Sequence, residues 1–337
     1  MTTPFSFPRY LAAKKPIDDR ALNRHVWDTM TRALSSAYPN APLRLLEVGC
    51  GIGTMYERLL EWNLTKSAHP ERSGDSFPSQ NIPTPTQSRD AVPFAYTGID
   101  SSPENISTAQ KRFALPPAAH HASRIPPHFL LADLYALPPT IASGSFDLLL
   151  AHAVLDLLDL SRALPHLLSY LRPGGVFYFT LNFDGETIFQ PEHPLDPLIL
   201  ALYHRTMDER LTAPPTGDND APGDATPSGD SRTGRHLFAH LKNAGADLLA
   251  VGSSDWVVFP SADGYPGDEA YFLHHILHFF EESLTGHPEL TEAQLSAWLA
   301  LRRTQIEQGA LIFLAHQLDF AGRVAPSVPV ETSTLAV

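Results

Sequence analysis

Five short apolar runs, each closed by a small or polar residue and separated by stretches of helical character, organise the first half of this chain. Leu43–Val48 ends at Gly49, Phe94–Ile99 at Asp100, Phe129–Ala132 at Asp133, Phe146–Ala151 at His152 and Val176–Leu181 at Asn182. Runs this short and mostly apolar read as strands buried on both faces. Strands alternating with helices imply right-handed crossovers and a parallel sheet covered on both sides. The expected fold class is α/β, a doubly wound, mostly parallel, seven-stranded sheet with helical insertions. Ligands of such sheets bind beyond the carboxyl ends of the strands, at the switch point. Gly49–Gly53, Asp100, Asp133, His152 and Asn182 all fall at those ends.

The flanks follow other patterns. A helix beginning at Asp18 would carry Leu22, Val26 and Met30 on one face. Helices are expected over 189–211 (after Pro194), 235–244, 268–284 and 291–309, the last opened by the capping pair Thr291 and Gln294. Asp247–Val251, Trp256–Phe259 and Leu311–His316 read as further strand pieces. Pro outnumbers Gly, 31 to 20, and collects in two places. Thr65–Pro93 reads as a long surface loop. Residues 213–234 hold no apolar residue beyond Ala, so they are expected to be disordered. The organisation expected is an N-terminal helical segment (1–40), a core (41–188), a C-terminal part of the sheet with a helical cap (189–320) and a flexible tail (321–337).

Charge and cysteine usage bear on partners. The formal net charge of −13 disfavours a phosphate backbone, and no basic stripe interleaved with aromatics is present for nucleic acid. Cys50 has no second cysteine to pair with, which fits a reducing compartment. No run of about 18 apolar residues exists to span a membrane, and the first residues lack a signal-peptide pattern. A cytoplasmic location is expected.

The chemistry is concentrated in Glu47-Val48-Gly49-Cys50-Gly51-Ile52-Gly53. Glycines let the chain turn sharply from strand to helix and let a ligand approach the main chain, while the helix start offers free amides to an anionic group. The dehydrogenase spacing G-x-G-x-x-G fails, because Thr54 stands where its third glycine belongs. The pattern resembles that of the class I S-adenosylmethionine-dependent methyltransferases, of small-molecule type, from about Leu43 to Asn182 and more weakly to His316. Gly98-Ile99-Asp100-Ser101-Ser102, Leu131-Ala132-Asp133-Leu134, Ser145-Phe146-Asp147-Leu148-Leu149 and Leu171-Arg172-Pro173-Gly174-Gly175 carry the resemblance in the same order.

That resemblance implies a Rossmann-like fold, S-adenosyl-L-methionine as cofactor and a small-molecule methyl acceptor. The backbone of Gly49, Cys50, Gly51 and Gly53 would line the methionine part, with Glu47 orienting the loop. Asp100 would accept the ribose hydroxyls and Ser101 would lie against the adenine. Asp133 and the Leu134 amide would meet the adenine edge. His152 would sit near the methyl group. Arg20 lies in a segment, Tyr10–Asn23, placed to fold over the cofactor, where an Arg suits the methionine carboxylate. Cys50 reads as a packing residue.

Among candidate bases, His152, His193, His236, Asp156 and Tyr265, His152 has the best position, because imidazole titrates near neutral pH at a strand's carboxyl end. His274, His275 and His278 share a helix with no zincin glutamate, so no metal site is expected, and the apolar side of that helix suits a substrate cap. Ala151-His152-Ala153-Val154 follows the fourth strand, in place of the Asn/Asp-Pro-Pro-Tyr type motif of members that methylate planar amino groups. A non-catalytic cofactor-binding adaptor and a nicotinamide-dependent oxidoreductase are the alternatives, and Thr54 argues against the second.

Overall fold

The computed structural model describes residues 5–37, 42–62, 64, 93–114, 125–212, 226–227 and 229–325. Two helices precede the sheet where one was expected: α1 (Phe7–Ala21) and α2 (Arg24–Ala37). The break is local chemistry. Leu22 turns to extended backbone, and the Asn23 side chain accepts from the Val26 amide at 3.2 Å, starting a new helix.

β1 (Leu43–Val48), α3 (Thr54–Glu61), β2 (Phe94–Asp100), α4 (Pro103–Phe113) and β3 (His128–Leu131) follow in turn. Ser102 caps α4, with Pro103 and Glu104 in the first turn as the sequence anticipates. Next come β4 (Phe146–His152), α5 (Leu160–Leu168), β5 (Leu171–Gln190), α6 (Asp196–Asp208), β6 (Leu211–Thr212) and β7 (Thr226–Pro227). The chain ends with α7 (Thr233–Asn243), β8 (Ala246–Ser253), β9 (Trp256–Val258), α8 (Glu269–Leu284), α9 (Glu292–Glu307) and β10 (Ile312–Val324). The capping box of Thr291 and Gln294 forms as expected.

The main sheet runs β3, β2, β1, β4, β5, β10, β8, with β9 also beside β10. β3, β2, β1, β4 and β5 pair in parallel; β10 is antiparallel to β5, β8 and β9. The switch point lies between β1 and β4, at the glycine loop. Among the described residues the sheet has eight strands rather than the expected seven. The extra one arises because β8 and β9 share one edge of β10, separated by a break at Ser254–Asp255. Ser254 donates its amide to the Gln317 carbonyl, and Asp255 accepts from the Gln317 amide.

β5 and β10 are longer than the apolar runs that announce them. The fifth strand, expected over 176–181, spans Leu171–Gln190; the last, expected over 311–316, runs to Val324, inside the segment read as tail. Polar residues within both strands interrupt the apolar pattern, and three of them are held by side-chain hydrogen bonds. Asn182 donates to the Leu318 carbonyl at 2.8 Å. Asp184 accepts the Arg235 amide at 2.7 Å and its Nε at 2.9 Å. Asp319 accepts the amides of Asn23 and Leu181, both at 2.8 Å. The helix expected from 189 therefore starts at Asp196, after Phe189 has paired with Phe313. Order also begins earlier than expected in the 213–234 segment: β6 pairs with β7, and Ser231 is buried, donating to Asp208. Residues 65–92 of the expected surface loop, 213–225 and 228, and 326–337 of the expected tail lie outside the described residues.

The outer halves of β5 and β10 form a ribbon that extends past the parallel strands. Against it pack α6, α8 and α9, around Phe189, Phe272, Phe280, Trp298 and Phe313. Arg302 and Trp298 of α9 both bind Asp196 at the start of α6, fixing this layer. Gly322 of β10 sits where a Cβ would lie 2.2 Å from Phe177 Cζ and 2.5 Å from the Asp247 carbonyl. Gly322→Ala should therefore cost about 1–3 kcal/mol through overpacking, read as a lowered urea midpoint; an unchanged midpoint would contradict this packing.

Candidate active site

A cavity of about 700 Å³ opens at the carboxyl ends of β1, β2 and β4. One end is bordered by the glycine loop, Asp100, Ser101, Asn105 and Leu134; the other by the β5–β10 ribbon, α6 and α8. Tyr10, Leu11, Lys14 and Asp18 of α1 lie over both. The volume is within the range of about 300–1,000 Å³ typical of small-molecule sites.

The glycine loop leaves β1 with Gly49 at φ 67° and Gly51 at φ 54°, backbone that favours glycine. A Cβ on Gly49 would meet Val154 at 2.8 Å, and one on Gly51 would meet Leu11 at 3.0 Å, so the loop fits only as bare backbone. Asp100 organises the next turn. Its Oδ2 accepts the Gly51 amide at 2.8 Å, and its Oδ1 accepts the Ser102 amide at 2.8 Å and the Asn105 side chain at 3.2 Å. A carboxylate offers about four lone-pair sites, so one remains open. Beside it, Asn105 Oδ1 is buried and has no hydrogen-bond partner among the described residues. Glu47 lies beneath the loop and accepts from the Tyr96 hydroxyl. Burial pushes its carboxyl up to about 8, against the opposing pull of Tyr96 and Arg58.

The wall toward α1 is a buried charge cluster. Asp18 Oδ2 accepts from Lys14 Nζ at 2.8 Å and Arg58 Nη2 at 3.2 Å, while Trp256 Nε1 donates to Oδ1 at 2.9 Å. Arg58 also binds Asp19 at 2.5 Å. His152 Nε2 lies 3.0 Å from Asp18 Oδ2 and 3.1 Å from Arg58 Nη1, and its Nδ1 lies 2.8 Å from the Thr180 hydroxyl. Burial works against the Asp18 charge, but Lys14, His152 and Arg58 outweigh it and hold the carboxyl well below the usual range. For His152, burial and then the Arg58 and Lys14 charges push the imidazole down to about 4, so it is neutral at physiological pH. Two residues at the cavity wall, Ala153 and Leu181, hold positive φ without being glycine, at 53° and 55°. Asp319 secures Leu181 through its amide, and burial pushes that carboxyl up to about 6.

Of the residues singled out in the sequence, Glu47, Gly49, Cys50, Gly51, Asp100, Ser101, Leu134 and His152 line this one cavity. Cys50 is buried, and desolvation raises its thiol pKa. Gly53, Asp133 and Arg20 do not line it. Gly53 is the residue before α3, in the left-handed conformation. Asp133 is exposed and accepts the Tyr135 amide at 2.7 Å, closing its own turn. Arg20 points to the outside of α1 and pairs with Glu269 at 2.7 Å; the α1 cation at the cavity is Lys14. Among the other candidate bases, Asp156 lines the cavity, whereas His193, His236 and Tyr265 are engaged elsewhere by Leu195, Asp230 and the Leu311 carbonyl. His275 stacks on Tyr10 and His278 on Phe5. Among the described residues no group of three His, Cys, Asp or Glu is placed to hold a metal ion. Lys14, Asp18, Arg58, Trp256 and Gln317 were not anticipated. The i,i+4 pair Lys14–Asp18 within an otherwise apolar face was the available signal.

Residues 83–179 match a family model described as a methyltransferase domain, a stretch that includes β2 to the middle of β5. The matched stretch is a methyltransferase domain. No curated protein matches the sequence. Solved structures similar to this chain include a SAM-dependent methyltransferase from Methanosarcina mazei, at 12% identity and TM-score 0.43, covering 86% of this chain and 96% of that one. A phosphoethanolamine N-methyltransferase from Haemonchus contortus, solved with phosphomonomethylethanolamine and S-adenosylhomocysteine, is 12% identical with TM-score 0.41, covering 96% and 61%. The cyclopropane synthase MmaA2 from Mycobacterium tuberculosis is 13% identical with TM-score 0.41, covering 87% and 82%.

The first end of the cavity suits the cofactor: bare glycine backbone, one open lone pair on Asp100 and the orphaned Asn105 oxygen are acceptors fit for a sugar diol. The His152 environment has a thermodynamic consequence. Its imidazole takes a proton near 6.5 when unfolded but only near 4 when folded. The unfolded chain therefore binds more protons between these values, and stability falls as pH drops from 6.5 toward 4. Denaturation midpoints measured across that window should decline more steeply in the wild type than in His152→Gln. Equal slopes would show that the imidazole is not held neutral.

Proposed function

We propose that this methyltransferase transfers its methyl group to a nitrogen or oxygen of a small-molecule acceptor, in a cytoplasmic setting. The supporting observation is continuity: the glycine loop and Asp100 at one end, and an apolar chamber at the other, border one cavity. No helix among the described residues is long and apolar enough to cross a membrane, and the free Cys50 suits a reducing compartment.

S-adenosylmethionine, when bound, supplies a methyl carbon on a sulfonium that is open to in-line attack. The protein's part is to bind, align and dry. Asp100, through its open lone pair, and Asn105 take the ribose hydroxyls. The backbone of Gly49–Gly51 passes along the methionine part, and Ser101 and Leu134 border the adenine. Lys14, in place of Arg20, is the cation within reach of the carboxylate end. His152 has both ring nitrogens occupied by protein groups, so in this proposal it anchors α1 through Asp18 and leaves proton transfer to another residue. Alignment in a closed site supplies up to about 7–11 kcal/mol in favourable cases.

The test uses labelled S-adenosylmethionine and a panel of small amines, phenols and alcohols. Formation of S-adenosylhomocysteine that depends on one of these acceptors is the expected result. Asp100→Ala should weaken S-adenosylhomocysteine binding about tenfold or more, the scale of losing hydrogen bonds to a charged group. Tight cofactor binding with no acceptor-dependent turnover across the panel would favour the non-catalytic adaptor instead.

A further inference from the structure

The acceptor half of the cavity is lined largely by apolar and aromatic side chains, with Thr187, Glu282 and Ser283 among its polar borders. Phe183, Phe313 and Ala315 form its floor on the β5–β10 ribbon, and Ile276, Phe279 and Phe280 of α8 form its roof. Tyr203 of α6 stacks on Phe280 at 4.0 Å between ring centroids. Two residues that border this space, Asp156 and Gln317, each carry one buried side-chain oxygen without a partner among the described residues. Asp156 sits in the single 3-10 turn Leu155–Leu157 that follows β4. Its Oδ1 is buried and has no hydrogen-bond partner among the described residues. Gln317 of β10 is 2% exposed, lines the same cavity, and its Oε1 is likewise unpartnered.

A buried oxygen without a donor costs about 1–3 kcal/mol, and more when it carries charge. Buried polar groups in native folds are almost always satisfied, by protein, water or ligand. The charged groups near Asp156 do not bond it. Lys14 is committed to Asp18 at 2.8 Å, and Arg210 is exposed at the cavity mouth, its charge felt by Asp156 but not hydrogen-bonded to it. Asp230 adds a like charge from the far side. Burial, above all, raises the Asp156 carboxyl pKa, which makes it a better proton acceptor than an exposed aspartate.

We propose that Asp156 and Gln317 are the polar end of the acceptor subsite, and that the acceptor is an amine or alcohol on an apolar, ring-sized body whose N–H or O–H donates to Asp156. This rests on the methyl-transfer reading above and names its substrate class. In the transfer, the Asp156 carboxylate takes the proton that the acceptor atom loses. That atom's lone pair forms the bond to the methyl carbon, while the pair of the breaking carbon–sulfur bond returns to sulfur. Gln317 orients the donor; the aromatic walls hold the ring.

The test is calorimetric titration of the full chain, saturated with S-adenosylhomocysteine, with three probes of one shape: phenethylamine, 2-phenylethanol and ethylbenzene. The wild type should bind the amine or the alcohol about tenfold more tightly than ethylbenzene, the size of one hydrogen bond to a charged group. Whichever of the two is preferred names the acceptor atom. In Asp156→Ala, and in the shape-conserving Asp156→Asn, that preference should shrink to about twofold, with S-adenosylhomocysteine affinity unchanged. Equal binding of the three probes, no binding of any, or a preference that survives both substitutions overturns the proposal. Failure of the wild type to bind S-adenosylhomocysteine would instead overturn the methyl-transfer reading beneath it.

Discussion

A carboxylate that is only 3% exposed must be matched where it lies, and Asp18 is matched from four directions. Lys14 comes from its own helix, Arg58 from α3, Trp256 from β9, and His152 from the end of β4. These contacts join α1 to both halves of the sheet. Removing one partner of a buried ion pair typically costs about 3–5 kcal/mol, because the other charge stays buried. The same cluster therefore fixes α1 over the carboxyl edge of the sheet and closes the cavity from above. Without it, the glycine loop would face open solvent rather than a dry chamber in which electrostatic effects are strong.

The cavity has two kinds of wall because the sheet has two kinds of strand. The parallel strands β1, β2 and β4 end in turns, so they present backbone amides, carbonyls and short polar side chains at one edge. The β5–β10 ribbon does not end there. It runs on in antiparallel pairing and offers alternate side chains, which on the cavity face are Phe183 and Thr187 of β5 and Phe313, Ala315 and Gln317 of β10. Backbone-rich walls suit a nucleoside; side-chain walls suit a substrate whose identity differs between proteins of one fold. Asp319 belongs to the seam between them, holding Leu181 in its left-handed turn and tying α2 to β10 through Asn23. Backbone of this kind is tolerated when the surroundings over-determine it.

Much of the first kind of wall was legible in the amino-acid sequence, and little of the second. Gly49, Asp100 and His152 follow apolar runs at β1, β2 and β4, so the switch-point rule alone brings them together. Asp133 obeys the same pattern yet turns away to cap its own loop, since a strand-end Asp serves local backbone as readily as a ligand. Arg20 fails for another reason. Helical spacing places Lys14 and Asp18 on the cavity side and Arg20 toward Glu269, but the helix start at Phe7, which sets that phase, is not signalled at Asp18 where the apolar period begins. Gln317 and Asp319 were hidden because neither is apolar and neither extends the run that marks β10; Asp319 is satisfied by the amides of Asn23 and Leu181, tertiary partners no local pattern displays. Strand lengths of β5 and β10 were lost with them.

In the proposed reaction one cavity beneath α1 serves both nucleoside and acceptor. A crystal structure of the full chain with S-adenosylhomocysteine tests this most directly. The expected result is the ribose on Asp100 and Asn105, the sulfur facing the chamber that Asp156 and Gln317 border, and the Asp18 cluster unbroken. A nucleoside bound elsewhere, or a sulfur walled off from that chamber by protein side chains, would contradict it.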